Sequence, residues 1–147
     1  MQQLYLGSDH AGYGLKNNLK DYIETLGYTV VDLGVFSEAT YDYPDIAREV
    51  AEKVYENLGS FGVLICGTGT GMCIVANKHV GIRGASCSTE ELAHYARAHN
   101  NANVLCLGQR IIDEEKAKKI LAVFLKTPFE GGRHQARVDK IEVSAKN

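Results

Sequence analysis

The sequence predicts an α/β fold: a three-layer α/β/α sandwich around a five-stranded, Rossmann-like parallel sheet. Two observations predict it. Short apolar runs alternate with stretches of helical period from one end of the chain to the other. Glycines, capping residues and a proline punctuate that alternation where elements should start or stop. Strand–helix alternation implies parallel strands covered by helices on both faces. The length of 147 residues, 45% hydrophobic and 23% charged, suits a single domain over residues 1–147 with one sizeable core.

The elements follow in order. Leu4-Tyr5-Leu6 is a strand closed by Gly7. Leu15, Leu19, Ile23 and Leu26 recur at helical spacing, and Gly27 ends that helix. Tyr28 to Val31 is the second strand. The stretch LGVFSEATYDY has no period and reads as a loop, and Pro44 suits the first turn of the next helix. Ile46, Ala47, Val50, Ala51 and Val54 mark that helix's buried stripe. Val63 to Cys66 is the third strand, followed by a helix from about Gly71 to Lys78. Gly81 to Cys87 is the fourth strand, and Ser88 with Glu91 forms a capping box for the helix after it. Val104 to Leu107 is the fifth strand. Ala117, Ile120, Leu121 and Phe124 stripe the last long helix. The segment 128–147 is polar and basic yet carries Val138, Ile141 and Val143, which suggests that it packs on a partner subunit.

Several classes are disfavoured at once. A net charge of −2 gives no polycationic signal for nucleic acid or an anionic membrane. No run approaches the ~18 apolar residues of a membrane span. The start, MQQLYLGSDH, has no secretory pattern, so the cytoplasm is expected. Cys66, Cys73, Cys87 and Cys106 form no C-x-x-C pair and no zinc-ligand spacing with histidine. Cys73, Cys87 and Cys106 read as small buried hydrophobes.

Cys66 differs because CGTGTG follows it. Right-handed crossovers put all strand carboxyl ends on one edge, where ligands bind. A dinucleotide fingerprint would need G-x-G-x-x-G in the first β-α turn and an acid about 20 residues on; here the spacing is Gly67-x-Gly69-x-Gly71 in the third unit, with Cys87 in the acid's place. A P-loop would need lysine after Gly71, and Met72 is there. What remains is a glycine loop opening a helix, whose N–H groups favour negative charge, with a thiol at its rim. Such a setting favours the thiolate of a cysteine. It suits a base beside donors for an anion forming on carbon-bound oxygen. A packing cysteine before a structural turn is equally compatible with these residues.

Other chemistry-bearing residues fall after strands or at helix ends. Asp9 and His10 follow the first strand, where they could bind a sugar or phosphate or form an N-cap with an exposed histidine. His99 and Asn100 end the fourth helix, where a cationic histidine is favourable in any case. His79 and His94 read as surface residues. Arg133 and Arg137 are four apart and share one face if helical; with Arg110 they could hold a phosphate or simply be solvated.

Together, GSDHAG, DYPD, ICGTGTGMCIVANK, GIRGA, HNNANVLCLGQR and EGGRHQARV resemble the ribose/galactose sugar-phosphate isomerase family, and within it the type B ribose-5-phosphate isomerases. The resemblance runs from about residue 4 to 140. It implies an aldose–ketose isomerase that works as a homodimer or tetramer, with active sites shared between subunits and no metal or organic cofactor. Cys66 would be the base between C1 and C2, and Thr68 with the backbone of Gly67, Gly69, Thr70 and Gly71 would hold the enediolate. His99 would open the furanose. Asp9, Tyr43 and Asn100 would contact the sugar, and His10, Arg110, Arg133 and Arg137 the phosphate. A branch of the family uses glutamate at the position of Met72, so this chain resembles the cysteine branch. Thr70 and Cys73 are mild departures, where an aliphatic and a serine are usual. A hexose-phosphate isomerase acting on allose 6-phosphate or galactose 6-phosphate is the alternative, and a non-catalytic nucleotide or phosphate module a third reading.

Overall fold

A computed structural model describes residues 2–143. Five parallel strands form one sheet in the order β2-β1-β3-β5-β4. They are β1 (Gln3–Ser8), β2 (Thr29–Asp32), β3 (Phe61–Cys66), β4 (Gly84–Ser86) and β5 (Val104–Gly108). The helices are α1 (Tyr13–Thr25), α2 (Tyr43–Glu56), α3 (Thr70–Ala76), α4 (Glu90–Ala98), α5 (Glu114–Lys126) and the short α6 (Arg133–Val138). The fold is the three-layer α/β sandwich that the alternation predicts.

Period-2 alternation along the central strands sorts the core into two layers. Leu4, Leu6, Val63, Ile65, Leu105 and Leu107 face α1, α4 and α5. Tyr5, Leu64, Cys66, Val104 and Cys106 face α2 and α3. Neighbouring strands β1 and β3 are therefore followed by helices on opposite faces. Their carboxyl ends form the crevice where open α/β sheets bind ligands.

The predicted stripes are buried, including all five residues of α2, except that Leu26 is half-buried at the end of α1, where Gly27 takes the left-handed conformation (φ 94°) that closes the helix. Most boundaries shift by one or two residues: β1 runs through Gly7 to Ser8, β2 and β3 start at Thr29 and Phe61, and α3 ends at Ala76. Two differences have a clear local cause. The cap of α4 is Thr89, whose hydroxyl accepts from Leu92 N–H at 3.1 Å, not Ser88. Strand β4 is shorter than 81–87, because side chains tie down its approach. Asn77 bonds both Gly84 N–H (2.7 Å) and Gly84 C=O (3.0 Å), and Arg83 N–H donates to Asn103 Oδ1 at 2.7 Å. His79, read as a surface residue, is half-buried beside the Tyr55 ring.

One polar contact inside the fold was invisible in the sequence. Lys16 is fully buried, and its ammonium donates to Asp32 Oδ1 (2.8 Å), Asp32 Oδ2 (2.9 Å) and Val35 C=O (2.6 Å). All three of its donors are thus used. Lys20 (3.0 Å) and Gly34 N–H (2.9 Å) also hold Asp32. Burial pushes the Asp32 carboxyl up, but the hydrogen bonds from Lys16, Gly34 and Lys20 outweigh it and leave it below the ordinary carboxylate value. A depressed carboxyl contributes stability above its unfolded value of about 3.9 and loses it as pH falls through the folded value.

Asp32→Ala should therefore cost about 3–5 kcal/mol at neutral pH, because it strands a buried ammonium. Lys16→Met with Asp32→Leu should recover much of that loss. Urea unfolding at pH 7 and below pH 4 checks both points: the gap between wild type and Asp32→Ala should shrink in acid.

Candidate active site

The Cys66–Gly71 loop is built by close approach. A Cβ on Gly108 would lie 2.5 Å from the Thr68 carbonyl oxygen and 2.6 Å from its carbon, so only glycine lets the loop lie on the end of β5. Gly69 caps α3 at φ 85°, its α-carbon side facing the Leu107 carbonyl and Ser86 Oγ. This turn folds Gly69 N–H back onto Cys66 Sγ at 3.1 Å. Cys66 is 6% exposed. The Thr68 hydroxyl accepts from Thr70 N–H at 3.2 Å.

Neighbouring loops complete this cluster. Gln109 and Arg110 donate from their backbone N–H groups to the carbonyls of Cys66 and Gly67, each at 2.9 Å. The Arg110 side chain lies against Gly67, and the Tyr43 ring against Gly71. Asp9 is buried, caps the 3-10 turn His10–Gly12 through Gly12 N–H (3.1 Å), and its own N–H reaches Ile65 C=O at 3.2 Å. His10 is exposed and accepts at Nδ1 from Tyr41 N–H at 3.3 Å. Asp9 thus does act as a cap, at the same sheet edge as the thiol.

A second cluster stands apart. His99, Asn100, Arg133, His134, Arg137, Val138 and Ile141 line a cavity of about 370 Å³. Arg133 and Arg137 do share a helix, and neither forms an ion pair among the described residues. The buried Arg97 ties down the turn after α4, bonding Ala102 C=O (2.6 Å), Asn101 Oδ1 (3.0 Å) and Thr127 C=O (3.3 Å), with its guanidinium over Phe61. His99 and Asn100 come where α4 has returned to the amino edge of the sheet to start β5, whereas Cys66 lies at the carboxyl edge. The structure therefore brings the expected site residues together in two groups, separated by the length of β3, about 17 Å. Sequence reasoning passed over Arg97, His134 and Glu130. The first sits in a helical pattern like any surface arginine, and the other two flank a glycine pair that hides their proximity.

The other thiols differ from expectation at one point. Cys87 and Cys106 are buried, but Cys73 is only half-buried. Hydrogen bonds from the Cys106 thiol and Ser86 N–H, against the effect of burial, lower the Cys73 thiol to about 7. Burial and the Cys73 charge push Cys87 up to about 11. At pH 7, iodoacetamide should therefore label Cys73 well ahead of Cys87 and Cys106, read by peptide mass mapping; equal labelling of the three would contradict this ordering.

Comparison with known proteins adds to this geometry. The family model described as Ribose/Galactose Isomerase matches residues 4–141. The chain is 47% identical over 140 residues to the probable ribose-5-phosphate isomerase B of Mycoplasma genitalium, covering 94% of this chain and 92% of that protein. It is similar to the Clostridium thermocellum ribose-5-phosphate isomerase B structure, with TM-score 0.93, 44% identity and 95% coverage of each chain. A Mycoplasma genitalium ribose-5-phosphate isomerase B structure with bound ribulose-5-phosphate gives TM-score 0.91 and 47% identity, over 95% of this chain and 93% of that one.

Proposed function

The chain belongs to the ribose/galactose isomerase family, and from that premise we propose that it interconverts ribose 5-phosphate and ribulose 5-phosphate by proton transfer at Cys66. The observation that carries the substrate is the likeness, over nearly the whole of both chains, to a protein whose structure holds ribulose-5-phosphate. The placing of Cys66 in a glycine loop at the β1/β3 crevice supports the base.

The chemistry needs four devices. His99 opens the furanose: it takes the anomeric O1 proton as the C1–O4 bond breaks and C1=O1 forms, and O4 receives a proton in exchange. The Cys66 thiolate then removes the C2 proton, and the electron pair forms an enediolate with its charge on O1. The N–H groups of the first turn of α3 have no intrahelical partner and, with Thr68, face that charge. A proton passes from O2 to O1, the thiol returns its proton to C1, and C2=O2 forms. Asp9, Tyr43 and Asn100 bind hydroxyls, while His10, Arg110, Arg133 and Arg137 hold the phosphate.

One pentose cannot span both edges of one sheet. We therefore read the site as shared between two copies of a one-domain chain, with the cysteine loop of one facing the His99–Arg137 cluster of the other, in a dimer or tetramer. Exposed Ile74, Val80, Leu92 and Ile141 support such pairing. Ile141 and Val143, in the tail expected to pack on a partner, are exposed in the single chain, and residues 144–147 of that tail lie outside the described residues. No described helix is long and apolar enough to cross a membrane, which fits a cytoplasmic enzyme.

Cys66→Ala should lower turnover of ribose 5-phosphate by roughly 10²–10⁴-fold, as loss of a general base does, with the fold intact. Substantial activity in that variant would remove Cys66 from the chemistry. Mixing Cys66→Ala chains with Arg137→Ala chains tests sharing. In each heterodimer one site carries both lesions and the other neither, so activity should reappear. If each chain served its own site, mixing would restore nothing even where native mass spectrometry shows heterodimers.

A further inference from the structure

His99 has three neighbours that the proposed mechanism leaves unused: the Tyr95 ring, tilted 47° with centroids 4.9 Å apart, and the side chains of Glu130 and His134. Glu130 N–H donates to Ala98 C=O at 3.0 Å, which pins residue 130 to the end of α4 beside His99. Gly131 (φ 66°) and Gly132 (φ 53°) then reverse the chain through left-handed backbone that other residues adopt only under strain. His134 comes back with its ring flat against that of His99, centroids 4.2 Å apart and planes 13° from parallel. Glu130 Oε1 lies 3.5 Å from His134 Nε2 and 3.7 Å from His99 Nε2. The His134 side chain is 9% exposed and that of Glu130 54%.

Three roles are open to such a trio. A metal ion would need both imidazole lone pairs to converge in their own ring planes, and nearly parallel stacked planes do not converge. A phosphate contact through His134 Nε2 would put the anion against the Glu130 carboxylate. Orientation of His99 fits both facts. An imidazole turns in a broad, two-fold torsional well, and which nitrogen carries the proton is set by what the other atoms face. Stacking restricts the first freedom, and the Glu130 carboxylate 3.7 Å from Nε2, an electrostatic contact longer than a hydrogen bond, favours a proton on that nitrogen.

We propose that Glu130 and His134 are positioning residues for His99: His134 fixes the plane of its ring, and Glu130 keeps its proton on Nε2 so that Nδ1 presents the lone pair. This rests on the ring-opening role given to His99 above. Misplacing an acid–base group by about an ångström can cost up to about 10²-fold, so the loss should fall on ring opening alone.

The test uses the full-length protein and two substrates. Ribulose 5-phosphate cannot close a furanose, because its C5 oxygen carries the phosphate. Solvent deuterium exchange into it therefore reads the Cys66 step without ring opening. Glu130→Gln and His134→Ala should lower kcat for ribose 5-phosphate about tenfold or more with little change in KM, and leave the exchange rate unchanged. His134→Phe, which keeps a flat ring, should recover most of what His134→Ala loses. Long-range ¹H–¹⁵N spectra should show His99 as the Nε2–H tautomer in wild type and as a mixture in Glu130→Gln. Equal losses in both assays would overturn the proposal, as would a rise in KM alone, or a tautomer that Glu130→Gln leaves unchanged. A wild type that leaves ribose 5-phosphate untouched would refute the isomerase reading instead, and the tautomer spectra would still decide the positioning of His99.

Discussion

The contact on which the site depends is the Thr68 carbonyl lying over Gly108. A methyl group there would occupy the space of the carbonyl, so the loop after β3 can rest on β5 only where β5 ends in a bare backbone. That seat fixes the rest. Gly69 turns left-handed above the Leu107 carbonyl, its N–H meets the Cys66 sulfur, and α3 starts one residue later. Backbone bonds from Gln109 and Arg110 to the carbonyls of Cys66 and Gly67 then bring the guanidinium of Arg110 over the same loop. The thiol and a cation share one sheet edge because two loops share one set of backbone groups.

A second constraint is topological. A helix that follows a strand in a parallel sheet must return to the amino edge before the next strand can start. His99, at the end of α4, is therefore carried away from Cys66 by the same rule that brings Cys66 to the crevice. Nothing in side-chain choice can reverse this within one chain. Under the pairing of copies proposed above, both groups would meet one pentose, and the cavity bearing Arg133 and Arg137 would be half of a site.

The sequence made the repeating features legible and left the singular ones dark. The stripe of α2 repeats one period several times and β3 is an unbroken apolar run, so a wrong reading of any one residue does not matter. Lys16 is the opposite case. It follows Leu15 in a helical pattern and looks solvated, and only the carboxylate of Asp32, from another element, makes its burial tolerable. Thr89 and Ser88 are both good caps, and the choice between them depends on where the chain leaves β4. In the site, the cysteine loop was readable because its glycines lie within six residues of the sulfur. The stack of His134 on His99 joins segments 35 residues apart, a distance that no local pattern spans.

The division of the cations has an energetic consequence. Arg110 lies at the edge with the thiol, while Arg133 and Arg137 lie at the edge with His99, and neither arginine of α6 is neutralised by an ion pair among the described residues. A phosphate dianion binds well only where several such donors converge. If the proposed pairing supplies that convergence, an isolated chain offers the substrate half of its handle, and binding and pairing become one linked equilibrium. Whatever binds the paired state and not the separate chains favours pairing by mass action. Under that pairing the mutual repulsion of Arg110, Arg133 and Arg137 would lie at the interface, where an empty site would loosen the pair and a bound phosphate would turn the repulsion into attraction.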